Sequence, residues 1–179
     1  MKKDIARILL SEEEIKEKVK FLAGEIKSAY GDKNPLILCI LNGSLIFTAD
    51  LIRELDFPCT IDFMQVSSYG SGSETSGTLK IKKDIDTDIS DRDVIIVEDI
   101  LDTGVTLSNL MPALKSRGAK SVALCVLLNK PERRRIEVKA DYIGFDIENE
   151  FVVGYGLDYA EKYRNLPYVG ILKPEVYEK

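Results

Sequence analysis

At 179 residues, 45% hydrophobic and 31% charged, the chain has the size and composition of one globular domain, residues 1–179, with room for a substantial core. A net charge of −5 argues against nucleic acid as a partner. The absence of histidine excludes Ser-His-Asp hydrolysis, Cys-His proteolysis and His-ligated zinc, so any general base must be Asp, Glu, Lys, Tyr or Cys.

In chain order, the opening segment MKKDIARILLSEEE interrupts its apolar residues with charge and lacks the continuous run of a signal peptide or membrane span. Cys39, Cys59 and Cys125 sit singly in apolar runs, with no C-x-x-C, as reduced core residues do. A cytoplasmic protein with no membrane partner is expected. Ser11 and Glu14 form a capping box, after which Ile15, Val19, Leu22, Ala23 and Ile26 recur on one helical face that packs on a sheet. Residues 36–41 read as a buried strand, Asn42, Gly43 and Ser44 as a turn, and 45–55 as a second helix whose start faces that strand's end. Ile61, Phe63 and Ser67 flank a third, partly alternating segment. The stretch SSYGSGSETSGT, residues 67–78, is polar and Gly/Ser-rich; inside a compact domain it is either disordered or a functional lid. A strand resumes at 79–81. The YGSGSETSG within that stretch lacks the third glycine of a dinucleotide fingerprint, and the chain has no Walker loop, so dehydrogenase and kinase readings lose their usual support.

Residues 94–107, VIIVEDILDTGVTL, carry the chemistry. Val94, Ile95, Ile96 and Val97 are wholly apolar and β-branched, the pattern of a strand covered on both faces in a parallel sheet. Ligands of open α/β sheets collect at the carboxyl ends of such strands, where Glu98, Asp99 and Asp102 are expected. Thr103, Gly104, Val105 and Thr106 then turn the chain so that free N–H groups at a helix start can face a phosphate. Carboxylates beside a phosphate repel unless a cation lies between them, which implies Mg²⁺ held partly by substrate oxygens. Alternatively, Glu98 and Asp99 hydrogen-bond the vicinal hydroxyls of a ribose; Asp102 is then aimed at the reacting group.

Residues 106–117 are expected to be helical, bent by Pro112 and ended by Gly118, and 122–128 to form the next strand, with Lys130 just past its end. FVVGY, from 151, reads as another core strand. Strand and helix alternate, which predicts an α/β fold with a central, mostly parallel sheet and helices on both faces.

The run Glu98-Asp99-Ile100-Leu101-Asp102-Thr103-Gly104 resembles the signature of the type I phosphoribosyltransferase family for phosphoribosyl pyrophosphate. LNGS at 41–44, SSYG at 67–70, LLNKPERR at 127–134 and FVVGYGLDYAEKYRNLPYVG at 151–170 extend the likeness, and together they resemble its bacterial hypoxanthine-guanine branch. The resemblance implies a small hood built from terminal segments and assembly as a homodimer or homotetramer. It implies transfer of phosphoribosyl from 5-phosphoribosyl 1-pyrophosphate to hypoxanthine or guanine in purine salvage, giving IMP or GMP.

It also implies roles for single residues. Asp102 accepts the purine N7 proton, the Thr103 to Thr106 turn holds the 5′-phosphate, and Lys130 donates to the exocyclic oxygen at purine position 6. Phe151 stacks on the base, and the Val152 backbone meets its N1 and N2 edge. Asp158 lies near the base and contacts the metal through water, joining Glu98 and Asp99 as metal-associated acids. Asn42, Gly43 and Arg164 bind pyrophosphate; the 41–42 peptide is often cis in the family, and many relatives carry Lys or Arg where this chain has Asn42. Ser68 and Tyr69 match a lid pair that excludes water.

Overall fold

A computed structural model of the chain describes residues 1–68 and 79–178. Tyr69 and the rest of the expected lid lie outside the described residues, and Ser68 enters only as the last residue of a strand. The elements are β1 (Ile5–Leu10), α1 (Glu12–Tyr30), β2 (Leu36–Leu41), α2 (Leu45–Glu54), β3 (Thr60–Ser68) and β4 (Leu79–Lys83). After these come β5 (Asp93–Leu101), α3 (Val105–Ser116), β6 (Ser121–Asn129), β7 (Tyr142–Asp146), β8 (Val152–Val153), β9 (Val169–Leu172) and α4 (Pro174–Tyr177).

Six strands form the main sheet in the order β4-β3-β2-β5-β6-β7, all pairs parallel except the edge pair of β4 with β3. Side chains alternate across a strand, and this alternation builds two cores. Ile37, Ile95, Val97, Ala123, Cys125 and Leu127 pack with α1 and α2 on one face. Leu36, Leu38, Ile40, Val94, Ile96, Leu124 and Val126 pack with Leu107, Leu110 and Leu114 of α3 on the other. The central strands are therefore apolar at nearly every position, which is why they read as continuous runs rather than alternating ones.

The capping box at Ser11 is formed: its hydroxyl accepts from the Glu14 amide at 3.2 Å, and Glu14 Oε2 accepts from the Ser11 amide at 2.8 Å. Gly118 ends α3 as expected, in the left-handed region at φ 94°. Pro112 sits inside α3, which still runs unbroken from Val105 to Ser116.

Two expectations need correction. Glu98 and Asp99 do not follow a short strand; β5 runs on through them to Leu101, because it keeps pairing with β6 out to Asn129. FVVGY is not a core strand of the main sheet. Only Val152 and Val153 are extended, in a separate antiparallel sheet of order β1-β9-β8 that forms a hood. Strand β7 goes unread in the sequence because it is a half-exposed edge interrupted by Gly144, where an added Cβ would stand 2.4 Å from the Leu127 carbonyl oxygen.

Candidate active site

The chain leaves β2 toward β3 on one side and leaves β5 toward β6 on the other, so the order of strands reverses between β2 and β5. A crevice forms at such a switch point. The ladder between β2 and β5 stops at Cys39 and Val97, although both strands continue. Past that rung the strands part, with Asn42 and Gly43 on one wall and Glu98 and Asp99 on the other.

The walls nearly touch. A Cβ added to Gly43 would stand 1.7 Å from Asp99 Oδ2, and one added to Gly156 would stand 2.0 Å from the Gly43 carbonyl oxygen. Gly156 has φ 100°, which a side chain rarely tolerates, so glycine is required there on two counts. The Leu41–Asn42 peptide is cis. Beneath it Ser44, fully buried, donates its hydroxyl to the Ile40 carbonyl at 2.7 Å and pins the turn.

Arg164 ties the hood to this wall. Its Nη1 donates to the Gly156 carbonyl at 2.9 Å, and its Nη2 pairs with Asp158 Oδ1 at 2.9 Å and with Glu161 Oε2 at 3.1 Å. Glu98, Asp99, Asp158 and Arg164 thus form one electrostatic neighbourhood. Burial of the carboxyl, reinforced by the charge of Asp99, pushes Glu98 well above the usual carboxylate range. Burial also raises Asp99 to about 6, against the pull of the Ile100 amide, which donates to it at 2.9 Å, and of Arg164. Glu98 Oε2 is buried and has no hydrogen-bond partner among the described residues. Carboxyl oxygens held short of positive charge in this way suit a hard divalent cation. No group of three or more acidic, His or Cys side chains converges into a metal cage among the described residues. The sequence set Glu98, Asp99 and Asp158 is therefore two adjacent acids plus a third committed to Arg164, and a cation there would draw much of its coordination from substrate oxygens and water.

Thr103 to Thr106 turn as expected, through Gly104 at φ 80°. Side chains beyond glycine are barred, since an added Cβ would lie 2.3 Å from the Ile136 carbonyl oxygen. The Thr103 carbonyl accepts from the amides of Arg135 (2.9 Å) and Ile136 (3.1 Å), so the segment after β6 braces the turn from behind. Among the described residues no side chain caps α3, and the Val105 amide reaches only Thr103 Oγ1, at 3.5 Å. Those first amides remain available to an anion.

On the other side of Asp102 lies a cleft of about 430 Å³, lined among others by Ile100, Asp102, Lys130, Arg133, Phe151, Val152, Leu157 and Asp158. Lys130 is 7% exposed, and its Nζ donates to the Glu150 carbonyl at 2.6 Å. Burial lowers its pKa, and the nearby charge of Asp102 works in the opposite direction. Arg133 Nε stands 3.0 Å from Asp102 Oδ1, close enough for an ion pair but off the N–H direction, so this buried oxygen has no hydrogen bond among the described residues. Arg134 Nη1 donates to the Asp102 carbonyl at 2.6 Å and fixes its backbone.

Val152 faces Ile171 in the β8–β9 ladder, and the neighbouring rung is closed by the Leu172 amide donating to the Phe151 carbonyl at 2.9 Å. Hydrogen bonds alternate along an antiparallel pair, so the amide and carbonyl of Val152 project from the open edge of the hood. β8 is an edge strand, and those groups are free to read a ligand's edge.

The structure therefore gathers the sequence-predicted residues in two adjoining places: Asn42, Gly43, Glu98, Asp99, Asp158 and Arg164 at the crevice, and Asp102, Lys130, Phe151 and Val152 around the cleft, with the Thr103–Thr106 turn beside them. Sequence reasoning missed Ile100, Leu157, Gly156 and Arg133. Ile100 lay in view inside the acidic run, and Gly156 in a G-x-G that marks a turn; Arg133 was lost in a charged series. A further cavity, about 550 Å³, lies between α1, α2 and residues 164–167 and shares Arg164 with the site.

Comparison with known proteins agrees with this geometry. Residues 7–160 match the model of the phosphoribosyl transferase domain family. The chain is 53% identical over 178 residues to the hypoxanthine-guanine phosphoribosyltransferase of Bacillus subtilis strain 168, covering 99% of each. It superposes on a crystal structure of a hypoxanthine phosphoribosyltransferase from Staphylococcus aureus with a TM-score of 0.97 at 47% identity, covering 100% of this chain and 97% of that one. A hypoxanthine phosphoribosyltransferase variant from Trypanosoma cruzi, solved as a ternary substrates complex, gives a TM-score of 0.92 at 42% identity over 98% of this chain and 99% of that one.

Proposed function

Since this chain belongs to the phosphoribosyl transferase family, we propose that it moves a phosphoribosyl group from 5-phosphoribosyl 1-pyrophosphate to hypoxanthine or guanine, yielding IMP or GMP and pyrophosphate. The observation that carries this reading is the pairing of two compartments across β5: a crevice of buried acids beside an uncapped helix start, and an aromatic cleft holding Lys130 and Asp102.

In the reaction, purine N9 bonds to C1 of the ribose as the C1–O bond to pyrophosphate breaks. Charge builds on C1 and on the departing oxygens, and pre-set dipoles aimed at that charge lower the barrier. The Thr103–Thr106 amides hold the 5′-phosphate, and Glu98 and Asp99 hold the ribose hydroxyls. Asn42, Gly43 and Arg164 hold the pyrophosphate. Mg²⁺, held by Glu98 and Asp99 and through water by Asp158, would neutralise the leaving pyrophosphate. Asp102 accepts the N7 proton as N9 gains electron density, so the purine becomes a better nucleophile as it attacks. Holding both reactants in register removes much of the entropic cost of the encounter.

Base choice follows from donors and acceptors. Lys130 is a donor directed at purine O6, which suits a 6-oxopurine and leaves the amino group of adenine opposed to another donor. Phe151 stacks on the base, and the outward Val152 backbone meets its N1 and N2 edge. Ile100 and Leu157 supply further apolar wall.

The cysteines of the chain are free, as in a reducing compartment, and no helix among the described residues is long and apolar enough to cross a membrane. A cytoplasmic site is part of the reading. So is assembly as a homodimer or homotetramer, supported by the exposed Leu45 and Ile46 at the start of α2. The test is a Mg²⁺-dependent assay with phosphoribosyl pyrophosphate against hypoxanthine, guanine, xanthine, adenine and uracil. Turnover of the 6-oxopurines, lost on chelation, is expected; turnover of adenine or uracil alone would refute the assignment.

A further inference from the structure

Tyr177 belongs to α4, which follows β9. Its ring lies nearly parallel to that of Phe151, with centroids 4.6 Å apart and planes 19° apart. Tyr159 meets the same Phe151 ring edge-on, at 5.5 Å and 87°, and also touches Tyr177 at 6.5 Å. Phe151 is thus held on one face and at one edge, yet it stays 37% exposed. Tyr177 lines the same cleft as Lys130 and Asp102.

The backbone puts the ring there. Leu172 donates to the Phe151 carbonyl at 2.9 Å, so β9 leaves the hood beside Phe151. Lys173 then anchors the chain twice, its amide donating to the Asp4 carbonyl at 2.9 Å and its Nζ to the Lys3 carbonyl at 2.7 Å. Pro174 opens the short helix that carries Tyr177 back over the aromatic ring.

We propose that Tyr177 is a positioning residue for the nucleobase, fixing the plane of Phe151 so that a purine adds as the third layer of an existing stack. The inference rests on reading this cleft as the purine site. A lone phenylalanine ring turns over a broad range about its last torsion, and binding must then order it. A ring already clamped between Tyr177 and Tyr159 avoids that cost, which is how pre-organisation raises affinity. Stacking is indifferent to the substituent at purine position 6, so Tyr177 sets how tightly a base binds and leaves the choice of base to Lys130.

The test is steady-state kinetics on the wild-type chain, Tyr177→Ala and Tyr177→Phe, varying hypoxanthine, guanine and phosphoribosyl pyrophosphate in turn. For the alanine variant, KM should rise about 3- to 10-fold for both bases, the scale of one lost aromatic pair, with kcat and KM for phosphoribosyl pyrophosphate within about twofold. The phenylalanine variant keeps the ring and should keep the wild-type KM. An unchanged or lowered base KM in the alanine variant overturns the role, a lowered one marking Tyr177 as an obstruction. A parallel rise in KM for both substrates with a lower Tm also overturns it, as general loosening. Absence of transfer by the wild-type chain would count against the purine site itself; a working wild type with an unaltered alanine variant counts against Tyr177 alone.

Discussion

Asp102 and Arg133 face each other at 3.0 Å, yet the approach is oblique and leaves Asp102 Oδ1 buried without a hydrogen bond. With that oxygen buried, the exposed part of the carboxylate on the wall of the cleft is what meets a ligand. Replacing it by an amide removes the acceptor while keeping the shape. Asp102→Asn should lower kcat by about 10²- to 10⁴-fold and change either KM by less than about threefold, measured with hypoxanthine and phosphoribosyl pyrophosphate. Wild-type turnover in that variant would remove Asp102 from proton transfer.

Lys130 bears on which base is used. Its ammonium is buried, spends one N–H on the Glu150 carbonyl and lines the cleft. Lys130→Ala should reduce kcat/KM for hypoxanthine and guanine by about 10- to 100-fold and narrow the gap to adenine, because the penalty on a mismatched donor disappears with the donor. An unaltered preference among the three bases would place discrimination elsewhere.

Asn42 is exposed beside the crowded Gly43, so a longer side chain there can extend into solvent. Asn42→Lys should tighten phosphoribosyl pyrophosphate about 2- to 10-fold at low ionic strength, and the gain should shrink as salt screens an exposed charge. Affinity that is unchanged or weaker would show that the backbone, rather than a cation, governs this turn.

Asp99 gives a pH dependence with a definite sign. Burial raises its folded pKa from 3.8 to about 6, so the ligand-free fold binds the proton more tightly than the unfolded chain does. That contribution is fully present below pH 3.8 and is lost as pH rises through 6. A shift of this size corresponds to about 3 kcal/mol, and solvent at the partly exposed side chain screens it to roughly 1–2 kcal/mol. Asp99→Asn should therefore melt about 2–8 °C above wild type at pH 7.5. The two should converge near pH 4. Equal melting temperatures at both pH values would contradict the origin given for the shift.

Two glycines make an opposed pair. Gly156→Ala forces a Cβ to 2.0 Å from the Gly43 carbonyl oxygen at φ 100°, and should cost about 2–3 kcal/mol together with most of the activity. Gly24 lies inside α1 with nothing within 4 Å of an added Cβ, so Gly24→Ala should stabilise by about 0.5–1 kcal/mol with activity intact. Thermal melts of both variants test the contrast.

The parts of the fold that the sequence made legible are those where one periodicity prevails. The capping box at Ser11, the apolar strands at 36–41 and 94–97 and the glycine stop at 118 each rest on local chemistry that tertiary contacts do not override. The hood was legible only through the family resemblance, for the opposite reason. β1, β8 and β9 are short, come from distant parts of the chain and pair only with one another, so no local window contains their logic. At the site, Glu98 to Thr106 are contiguous and legible together; Arg133 lies within the LLNKPERR run but is masked by its charged neighbours, and Tyr177 reaches the cleft by folding alone.

The rungs between β5 and β6 run out to Leu101 and Asn129, beneath the acids. Carboxylates mounted on backbone laddered to β6 move only when that pairing opens, so the β5 amide protons that bond β6 should exchange as slowly as the global unfolding rate permits, and those facing the parted edge toward β2 faster. The hood, by contrast, hangs on a few short rungs, and its cleft-facing residues can be varied so long as Leu10, Val152, Val169 and Ile171 keep their places in the core below. An engineer seeking a different acceptor should therefore redesign the canopy and leave the floor alone.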